Sequence, residues 1–430
     1  MYLSIFDFFF QTDHLLLIGI FVIIIFLYYP TTIINSEFKN RIIAASVFWW
    51  IVLVFSYNPN GFNYNCYRFS STLTINNQPA FNRTVKIEDG DLATSFTHPK
   101  RMDYTGLQHL VYTILTLANN SYYRLLNGFG FRMWMVLCLM TLIYLISNAN
   151  LFYNTNNIDA HKYWAIIIIT FNPALIFNWI ITWEDKLPFI IIPLLIIYLV
   201  EKDRLLVAGF LFGLSIAFNG LLLVFIVPFI FHIYSKHKKA FYKILLMITL
   251  GFVLGMIPFF PESLIGWQNR FERQNISKPF WYSIFLLFPA NWQSPFIYKI
   301  IMIVIITFSY LFFFLNKINL RDMIIISVSV VIVFSIYNVS SRMLPVILLI
   351  ALLTPSVTKR YWLLLSIYLF TYANFYAYYA VHKPKEFGVI EVFIFHIPFL
   401  FVLIYYFFAR KREVSESSAN EFKDNIQLSS

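Results

Sequence analysis

The sequence has little charge and almost no cysteine, and each shortage excludes a class of protein. Charged residues make up 12% of the chain, about half of their share in a soluble globular domain, which excludes a soluble enzyme. The two cysteines, Cys66 and Cys138, fit neither a disulfide framework nor a Cys-ligated metal site. The chain also lacks a His-Glu metal motif, a serine-centred nucleophile elbow and a phosphate-cradling glycine loop.

The chain is instead rich in apolar side chains. Hydrophobic residues make up 59% of it, with 49 Phe and 28 Tyr, and lipid is the solvent that suits a chain apolar all round. Runs of about 15 to 20 apolar residues predict about thirteen membrane crossings. They cover 14–30, 42–57, 131–147, 163–181, 187–200, 205–217, 220–234, 244–260, 298–315, 322–338, 343–355, 361–380 and 389–408. We therefore predict an all-α polytopic protein with a single membrane domain over residues 1–412.

The net charge of +11 predicts an orientation through the way it is distributed. Basic residues scattered between apolar runs act as topology signals and do not indicate a nucleic-acid partner. The short basic segments 236–243 and 410–412 are expected on the cytoplasmic side, together with the C-terminus. The N-terminus and the long segments 58–130 and 261–297 then lie on the non-cytoplasmic side. The polar tail 413–430 is expected to be disordered.

The long segment 58–130 carries an acidic turn, in which Glu88, Asp89 and Asp91 surround a glycine. Such a turn can hold two carboxylates on one side. Their mutual repulsion then raises the pKa of one of them, or recruits a divalent cation such as Mg²⁺ or Mn²⁺. The alternative is a solvated acidic turn without a site. Glu88, Asp89 and Asp91 are therefore candidate catalytic residues, and Asp89 and Asp91 are also candidate metal ligands.

Basic residues follow this turn, with His98, Lys100 and Arg101 shortly before the apolar stretch 107–118. A stretch of about 12 residues is too short to span a bilayer, so it is predicted to lie along the membrane surface as an amphipathic helix. The three basic side chains would then lie at the level of the lipid headgroups. There they either bind a phosphate or serve as simple anchors.

Further polar residues fall at predicted outer ends of the membrane helices. Glu184 and Asp185 precede an apolar run, where they form either a polar wall for a site or a helix cap. The stretch 205–234 is too long for one untilted helix, and Asn219 interrupts it near its middle. We therefore predict two helices in this stretch. Arg342 lies in a very short outer loop, against the charge bias, which indicates a phosphate or substrate ligand.

The order of these features resembles that of GT-C glycosyltransferases. Those are integral membrane enzymes that move a sugar from a polyprenyl-phosphate donor to an acceptor on the non-cytoplasmic side. The resemblance covers about residues 85–260. It is carried by the acidic loop, the apolar stretch after Asp103-Tyr104, Asn172-Pro173, the acid at a helix start, and the segment Arg204–Asn219.

The resemblance implies a role for each candidate residue. It implies that Glu88, Asp89 and Asp91 are the family's acids in the first large outer loop, with Asp89 or Asp91 as the base, and that Asp185 is its later acid. Asn219 stands near a position where the family usually has Lys or Gln. The implied partners are membrane lipid, a polyprenyl-phosphate donor of a hexose, and a glycan or glycolipid acceptor. The cations that would face the departing phosphate are Lys100, Arg101 and Arg342.

Two other classes of protein stay open. A Wzy-type O-antigen or exopolysaccharide polymerase is also a many-helix protein rich in Phe, Tyr and Ile. It usually has its largest outer loop later in the chain and relies on arginines there. A lipid or solute transporter would need ionisable residues in the middle of its helices, whereas nearly all of them lie at helix ends here. The early, acid-rich loop favours the glycosyltransferase.

Overall fold

The structure is a computed structural model that describes most of the 430 residues. The described residues are 36–56, 62–78, 80, 84–85, 100–101, 105–122, 128–149, 158–176, 179, 187–218, 225–273, 280–281, 288–289, 294–315, 319–333, 337–338, 340–355, 357–369 and 396–411.

This part of the chain is helical, which confirms the all-α class, while the polytopic arrangement with about thirteen crossings stays a prediction. Each predicted apolar run from 42–57 onward contains a described helix, and the run 14–30 lies outside the described residues. The helices are α1 (Ser36–Ser56), α2 (Phe62–Ile75), α3 (Gly106–Tyr122), α4 (Phe129–Asn148), α5 (Ile158–Phe171), α6 (Pro173–Ile176), α7 (Pro188–Glu201), α8 (Leu205–Phe218), α9 (Ile226–Lys236), α10 (Phe241–Met256), α11 (Ser263–Arg273), α12 (Pro295–Phe314), α13 (Leu320–Val333), α14 (Ser340–Leu353), α15 (359–369) and α16 (396–411).

Two pairs of very short strands accompany the helices. β1 (Thr84–Val85) pairs antiparallel with β2 (Lys100–Arg101). β3 (Phe280–Trp281) pairs parallel with β4 (Tyr337–Asn338). Each of these strands is two residues long, so each pair joins two segments of the chain without forming an extended sheet.

Among the described residues, three helical segments are long and apolar enough to cross a membrane, judged by length and composition. They are Glu37–Phe55, Phe129–Asn148 and Lys238–Met256. Six further apolar helical segments are 10–17 residues long. Large apolar side chains are exposed along several of these helices, among them Phe48 and Phe296. Such helices are what a protein embedded in lipid requires.

The predicted run 163–181 is interrupted, and the interruption has a local cause. α5 ends at Phe171 because Pro173 has no backbone N–H to continue the helical hydrogen bonds. The Asn172 side-chain oxygen accepts a hydrogen bond of 3.0 Å from the Ala174 N–H. The amide side chain thus caps the short helix α6 at the point where α5 stops.

The chain divides into two compact units, and one of the boundaries between them falls inside α4. Unit 1 consists of residues 1–56, 140–177 and 340–430. Unit 2 consists of residues 57–139 and 178–339. The single membrane domain expected over residues 1–412 stays a prediction.

Within unit 1, α1 and α5 run in the same direction. Near their N-terminal ends, the Lys39 ammonium lies 5.6 Å from the centre of the Tyr163 ring. Further along both helices, Trp49 stacks on Phe171 with ring centres 5.8 Å apart. Because residue numbers rise together along the contact, the two helices are parallel.

The helix α15 of unit 1 is parallel to α5 by the same criterion. The Lys359 ammonium lies 5.3 Å from the centre of the Trp164 ring, where both helices begin. The Asn172 amide donates to the Ser366 hydroxyl at 3.2 Å, where α5 ends. When two neighbouring helices are parallel, the chain that connects them must run back to the end of the unit at which the first helix begins.

Within unit 2, α8 and α10 form a closely packed pair that is also parallel. A Cβ added to Gly209 would lie 3.0 Å from the Ile244 side chain, and one added to Gly255 would lie 2.5 Å from the Ala217 methyl. The contact therefore follows both helices in the same direction. The stretch 205–234 forms two helices, as its length and Asn219 predict, with α8 ending before that residue.

The backbones of α8 and α10 touch because the contact residues are small. A Cβ on Gly213 would lie 2.0 Å from the Ile248 carbonyl oxygen, and one on Gly251 would lie 2.2 Å from the Phe210 carbonyl oxygen. Small residues recur every fourth position on α8. This is the pattern by which membrane helices pack without a hydrophobic driving force between them.

Candidate functional site

Most of the predicted site residues lie outside the described residues, and three lie inside them. Lys100 and Arg101 form β2, and Arg342 lies in the first turn of α14, in unit 1. For these three the structure describes the backbone. The predicted site residues that lie outside the described residues are Glu88, Asp89, Asp91, His98, Glu184, Asp185 and Asn219.

The β1–β2 pair closes the segment that carries the predicted acids. Thr84 lies opposite Arg101, and Val85 lies opposite Lys100. The two strands thus bring both ends of the segment 86–99 together. Two of the predicted cations stand at the base of the loop that holds the acidic turn.

The start of α7 is relevant to whether Glu184 or Asp185 caps that helix. Leu187 occupies the N-cap position and Pro188 the first helical position. Asp185 lies two residues before the N-cap and Glu184 three. Neither acid occupies the position from which a side chain caps a helix directly.

Five residues after Arg101, α3 begins at a meeting point of several elements of unit 2. We call it the α3 junction: residues 105–112, the end of α2, the last residue of α8, and the turn 257–263 between α10 and α11. The Thr105 hydroxyl donates to the Phe218 carbonyl oxygen at 3.0 Å. It also accepts from the Gln108 N–H at 3.3 Å, which makes Thr105 the N-cap of α3.

Two glycines allow the backbones of the α3 junction to meet. A Cβ on Gly106 would lie 2.1 Å from the Pro258 carbonyl oxygen and 2.9 Å from the Ser263 Cβ. A Cβ on Gly255 would lie 3.4 Å from a Leu107 methyl as well as against α8. The first turn of α3 therefore lies directly against the ends of α10 and α11.

A buried histidine joins α2 to α3 in the α3 junction. A hydrogen bond of 2.7 Å links His109 Nε2 to the Thr74 hydroxyl. The His109 ring also packs edge-on against Phe259, with ring centres 4.9 Å apart. Burial lowers the pKa of His109 from its ordinary value of 6.5 to about 4, so the imidazole is neutral at pH 7.

Phe259 reaches this position through an unusual backbone conformation. Its φ of 57° lies in the left-handed region, which costs a residue with a side chain about 1 kcal/mol or more. The Phe259 side chain packs against Leu73 and Ala80. The turn is thereby fixed against the end of α2, and it supports the face of α3 that carries His109.

Stacked rings extend the α3 junction toward α4. Tyr67 of α2 stacks on Tyr112 of α3 with ring centres 4.0 Å apart, and Phe131 of α4 also stacks on Tyr112, at 6.2 Å. The Gln108 amide donates to the Tyr112 hydroxyl at 3.0 Å. Polar groups in this apolar surrounding are thus oriented by fixed partners.

The structure adds residues to the candidate site that the sequence pattern did not assign. His109 stands in the apolar stretch 107–118 and is buried. Arg132, in the first turns of α4, is only 2% exposed. Both His109 and Arg132 could have been identified from the sequence as ionisable residues inside apolar stretches. Such residues are costly in lipid and by default indicate functional positions.

The described residues do not group as a metal centre. Within them, no three His, Cys, Asp or Glu side chains stand close enough together to hold a metal ion. Asp89 and Asp91, the predicted ligands of Mg²⁺ or Mn²⁺, lie outside this part of the chain. What the α3 junction offers is hydrogen-bonding groups held in place by fixed partners.

Comparison with protein-family models and with curated proteins gives no match for this chain. What the protein does has to be inferred from its own residues and their geometry.

Proposed function

We propose that the protein is a polytopic membrane glycosyltransferase of the GT-C type. It moves a hexose from a polyprenyl-phosphate donor to a glycan or glycolipid acceptor on the non-cytoplasmic side. The observation that carries the proposal is the pairing of β1 with β2. This pairing brings the two ends of the acidic segment 86–99 together, with Lys100 and Arg101 directly after it.

Helix directions support a polytopic chain. Neighbouring membrane helices can be parallel only if an odd number of crossings separates them. One predicted crossing, 131–147, lies between α1 and α5, and one, 220–234, lies between α8 and α10. Seven lie between α5 and α15. All three parallel pairs fit the alternation of about thirteen crossings.

The chemistry of sugar transfer matches the residues of the closed loop. The acceptor oxygen forms a bond to the anomeric carbon, and the bond from that carbon to the phosphate oxygen breaks. Asp89 or Asp91 takes the proton of the acceptor hydroxyl. Lys100, Arg101 or Arg342 stabilises the negative charge of the departing lipid phosphate.

The α3 junction gives this loop a fixed base. β2 ends four residues before Thr105, which is hydrogen-bonded to the end of α8. Short connections of this kind limit the positions that the loop cations can take relative to α3. A lipid donor that arrives sideways from the bilayer would meet α3 first, if α3 lies along the membrane surface as the short apolar stretch 107–118 predicts.

An activity assay tests the catalytic assignment. In membranes supplied with a polyprenyl-phosphate sugar, we expect Asp89→Asn or Asp91→Asn to lower single-sugar transfer by about 100-fold or more, since general-base catalysis contributes about 10² to 10⁴. Donor binding should persist. Asp203→Asn is the matched control, because Asp203 is an exposed acid in the turn before α8.

Three outcomes of this assay contradict the proposal in different ways. Full activity of both loop variants makes the acidic turn a solvated loop. Extension of lipid-linked oligosaccharides in blocks, with Arg342→Ala more damaging than the Asp variants, indicates a polymerase. An equal loss in Asp203→Asn means that the effect is not specific to the loop.

The orientation has its own test. In a chain whose Cys66 and Cys138 are replaced, a cysteine at Ser95 should react with an impermeant thiol reagent in intact, oriented vesicles. Cysteines at Ser235 and Ser415 should be protected until the vesicles are lysed. Labelling at Ser235 before lysis would move the proposed site to the cytoplasmic side.

A further inference from the structure

Four lysines form an exposed cluster where α9 leads into α10. Lys236 ends α9, Lys238 and Lys239 lie in a single 3-10 turn, and Lys243 lies in the first turn of α10. All four side chains are exposed. We call this group the lysine cluster; the sequence places no carboxylate between its first and last member.

The turn that carries the lysine cluster is held in one geometry by its own contacts. The rings of Tyr234 and Phe241 meet edge-on with centres 5.3 Å apart, and Phe241 meets Tyr242 in the same way at 5.3 Å. The His237 N–H donates to the Ile233 carbonyl oxygen at 2.7 Å. Four positive charges are thus presented together on an ordered turn, flanked by two exposed tyrosines.

An exposed apolar stripe continues from the lysine cluster along α10. It begins at Tyr242, which is 79% exposed, and passes through Leu246 at 67%, Leu250 and Val253 to Ile257 at 59%. Steps of three and four residues place these side chains on one face of the helix, over about 22 Å. Charge at one end of such a stripe is the pattern of a surface that meets both headgroups and acyl chains.

The neighbouring turn at the same end does not neutralise the lysine cluster. α8 begins beside α10, because Gly209 packs against Ile244, so the turn before α8 lies at this end of unit 2. Its charges balance one another. They are Glu201, Lys202, Asp203 and Arg204.

We propose that the lysine cluster binds the headgroups of anionic membrane lipids. Clustered lysines beside a membrane helix attract an anionic lipid surface, and the exposed Tyr234 and Tyr242 suit the headgroup level. The apolar stripe of α10 favours a lipid over a soluble anion, because it provides the surface on which acyl chains pack. The inference does not depend on sugar transfer.

Native mass spectrometry of the full chain tests this binding. The purified protein, in a neutral detergent, receives equal amounts of phosphatidylglycerol and phosphatidylcholine, and the retained lipids are counted. We expect about fivefold or more phosphatidylglycerol over phosphatidylcholine on the wild type. The variant with Gln at all four cluster positions should retain the two lipids equally. Its substitutions are Lys236→Gln, Lys238→Gln, Lys239→Gln and Lys243→Gln.

A second variant removes the same amount of charge elsewhere. Four basic residues from other helices become Gln, and this control should keep the wild-type lipid ratio. A wild-type ratio in the cluster variant, an equal fall in the control, or no preference in the wild type would each overturn the proposal. The control substitutions are Arg68→Gln, Lys299→Gln, Arg360→Gln and Lys411→Gln.

Two milder sets of variants keep the test decisive if the cluster variant does not fold. Arginine at all four positions preserves charge and should preserve the lipid ratio. Lys239→Gln or Lys243→Gln alone should lower the ratio by about half. Unchanged ratios in both single variants, or displacement of the lipid by a short duplex DNA, would contradict a lipid-binding surface.

Discussion

The α8–α10 pair and the α3 junction hold unit 2 together by opposite means. Along α8 and α10, glycines let the backbones touch, with Gly213 against the Ile248 carbonyl. In the α3 junction the contacts depend on side-chain hydrogen bonds, such as those of Thr105 and His109. The α8–α10 pair is stabilised by close backbone contacts at glycines, and the α3 junction is stabilised by hydrogen bonds from specific polar side chains.

The difference follows from what surrounds each region. Between apolar helices in lipid, close packing is the main source of attraction, so small residues bring the largest gain. At helix ends, backbone groups have no partner within their own helix and need side chains. Rigid packing therefore positions α8 and α10, and hydrogen bonds position α3 against α2 and the end of α8.

The largest expected effect is on the packed pair. Gly213→Ala would place a methyl group 2.0 Å from the Ile248 carbonyl oxygen and should cost about 3 kcal/mol or more of unfolding free energy, because backbone cannot move aside cheaply. Gly209→Ala is the matched control. There the nearest atom is a methyl of Ile244 at 3.0 Å, and the cost should stay within about 1 kcal/mol.

Unfolding by titration with a denaturing detergent measures both variants. Alanine raises helix propensity equally at the two positions, so the difference between them reports packing alone. Equal stabilities would mean that α8 and α10 are not in close contact in lipid.

The next largest effect is a pH dependence of the α3 junction. The pKa of His109 is about 4 in the fold and 6.5 in an unfolded chain, so below 6.5 the unfolded chain binds the proton first. The stabilisation is complete above pH 6.5 and is lost as the pH falls toward 4. Between pH 7.5 and 4.5, His109 alone should lower the unfolding free energy by about 2 to 3 kcal/mol.

His109→Gln isolates this contribution. The amide can still bond to the Thr74 hydroxyl but does not titrate. Its unfolding free energy should fall less than that of the wild type over the same pH range. Identical pH profiles would show that the imidazole is not buried as described.

The smallest effect concerns the cap of α3. Thr105→Val removes the N-cap bond to Gln108 and leaves the Phe218 carbonyl without its donor, at an expected cost of about 2 kcal/mol. Thr116→Val is the control, because the Thr116 hydroxyl bonds only to the Tyr112 carbonyl of its own helix. That cost should stay under about 1 kcal/mol.

Thermal unfolding in detergent compares the two threonine variants. If Thr116→Val is as damaging as Thr105→Val, the α3 junction depends on general packing and not on the bond between α3 and α8.

Sequence periodicity located the helices, while most of the predicted site residues lie outside the described residues and stay a prediction. Apolar runs from 42–57 onward each contain a helix, because a chain in lipid must satisfy its backbone within helices. The interruption at Asn172 was missed, since it depends on the side chain of that residue and on Pro173. A role for His109 in the stretch 107–118 was not predicted, because no neighbouring residue in the sequence indicates which polar group its side chain will contact.

What the sequence by itself determined is the helical class and the helix positions, since each depends on hydropathy within one segment. Only the tertiary structure decided that α8 and α10 are parallel, that Thr74 meets His109, and that β1 pairs with β2. Those contacts join segments that are distant along the chain. They are selected by backbone approach and hydrogen-bond geometry, which no single segment specifies.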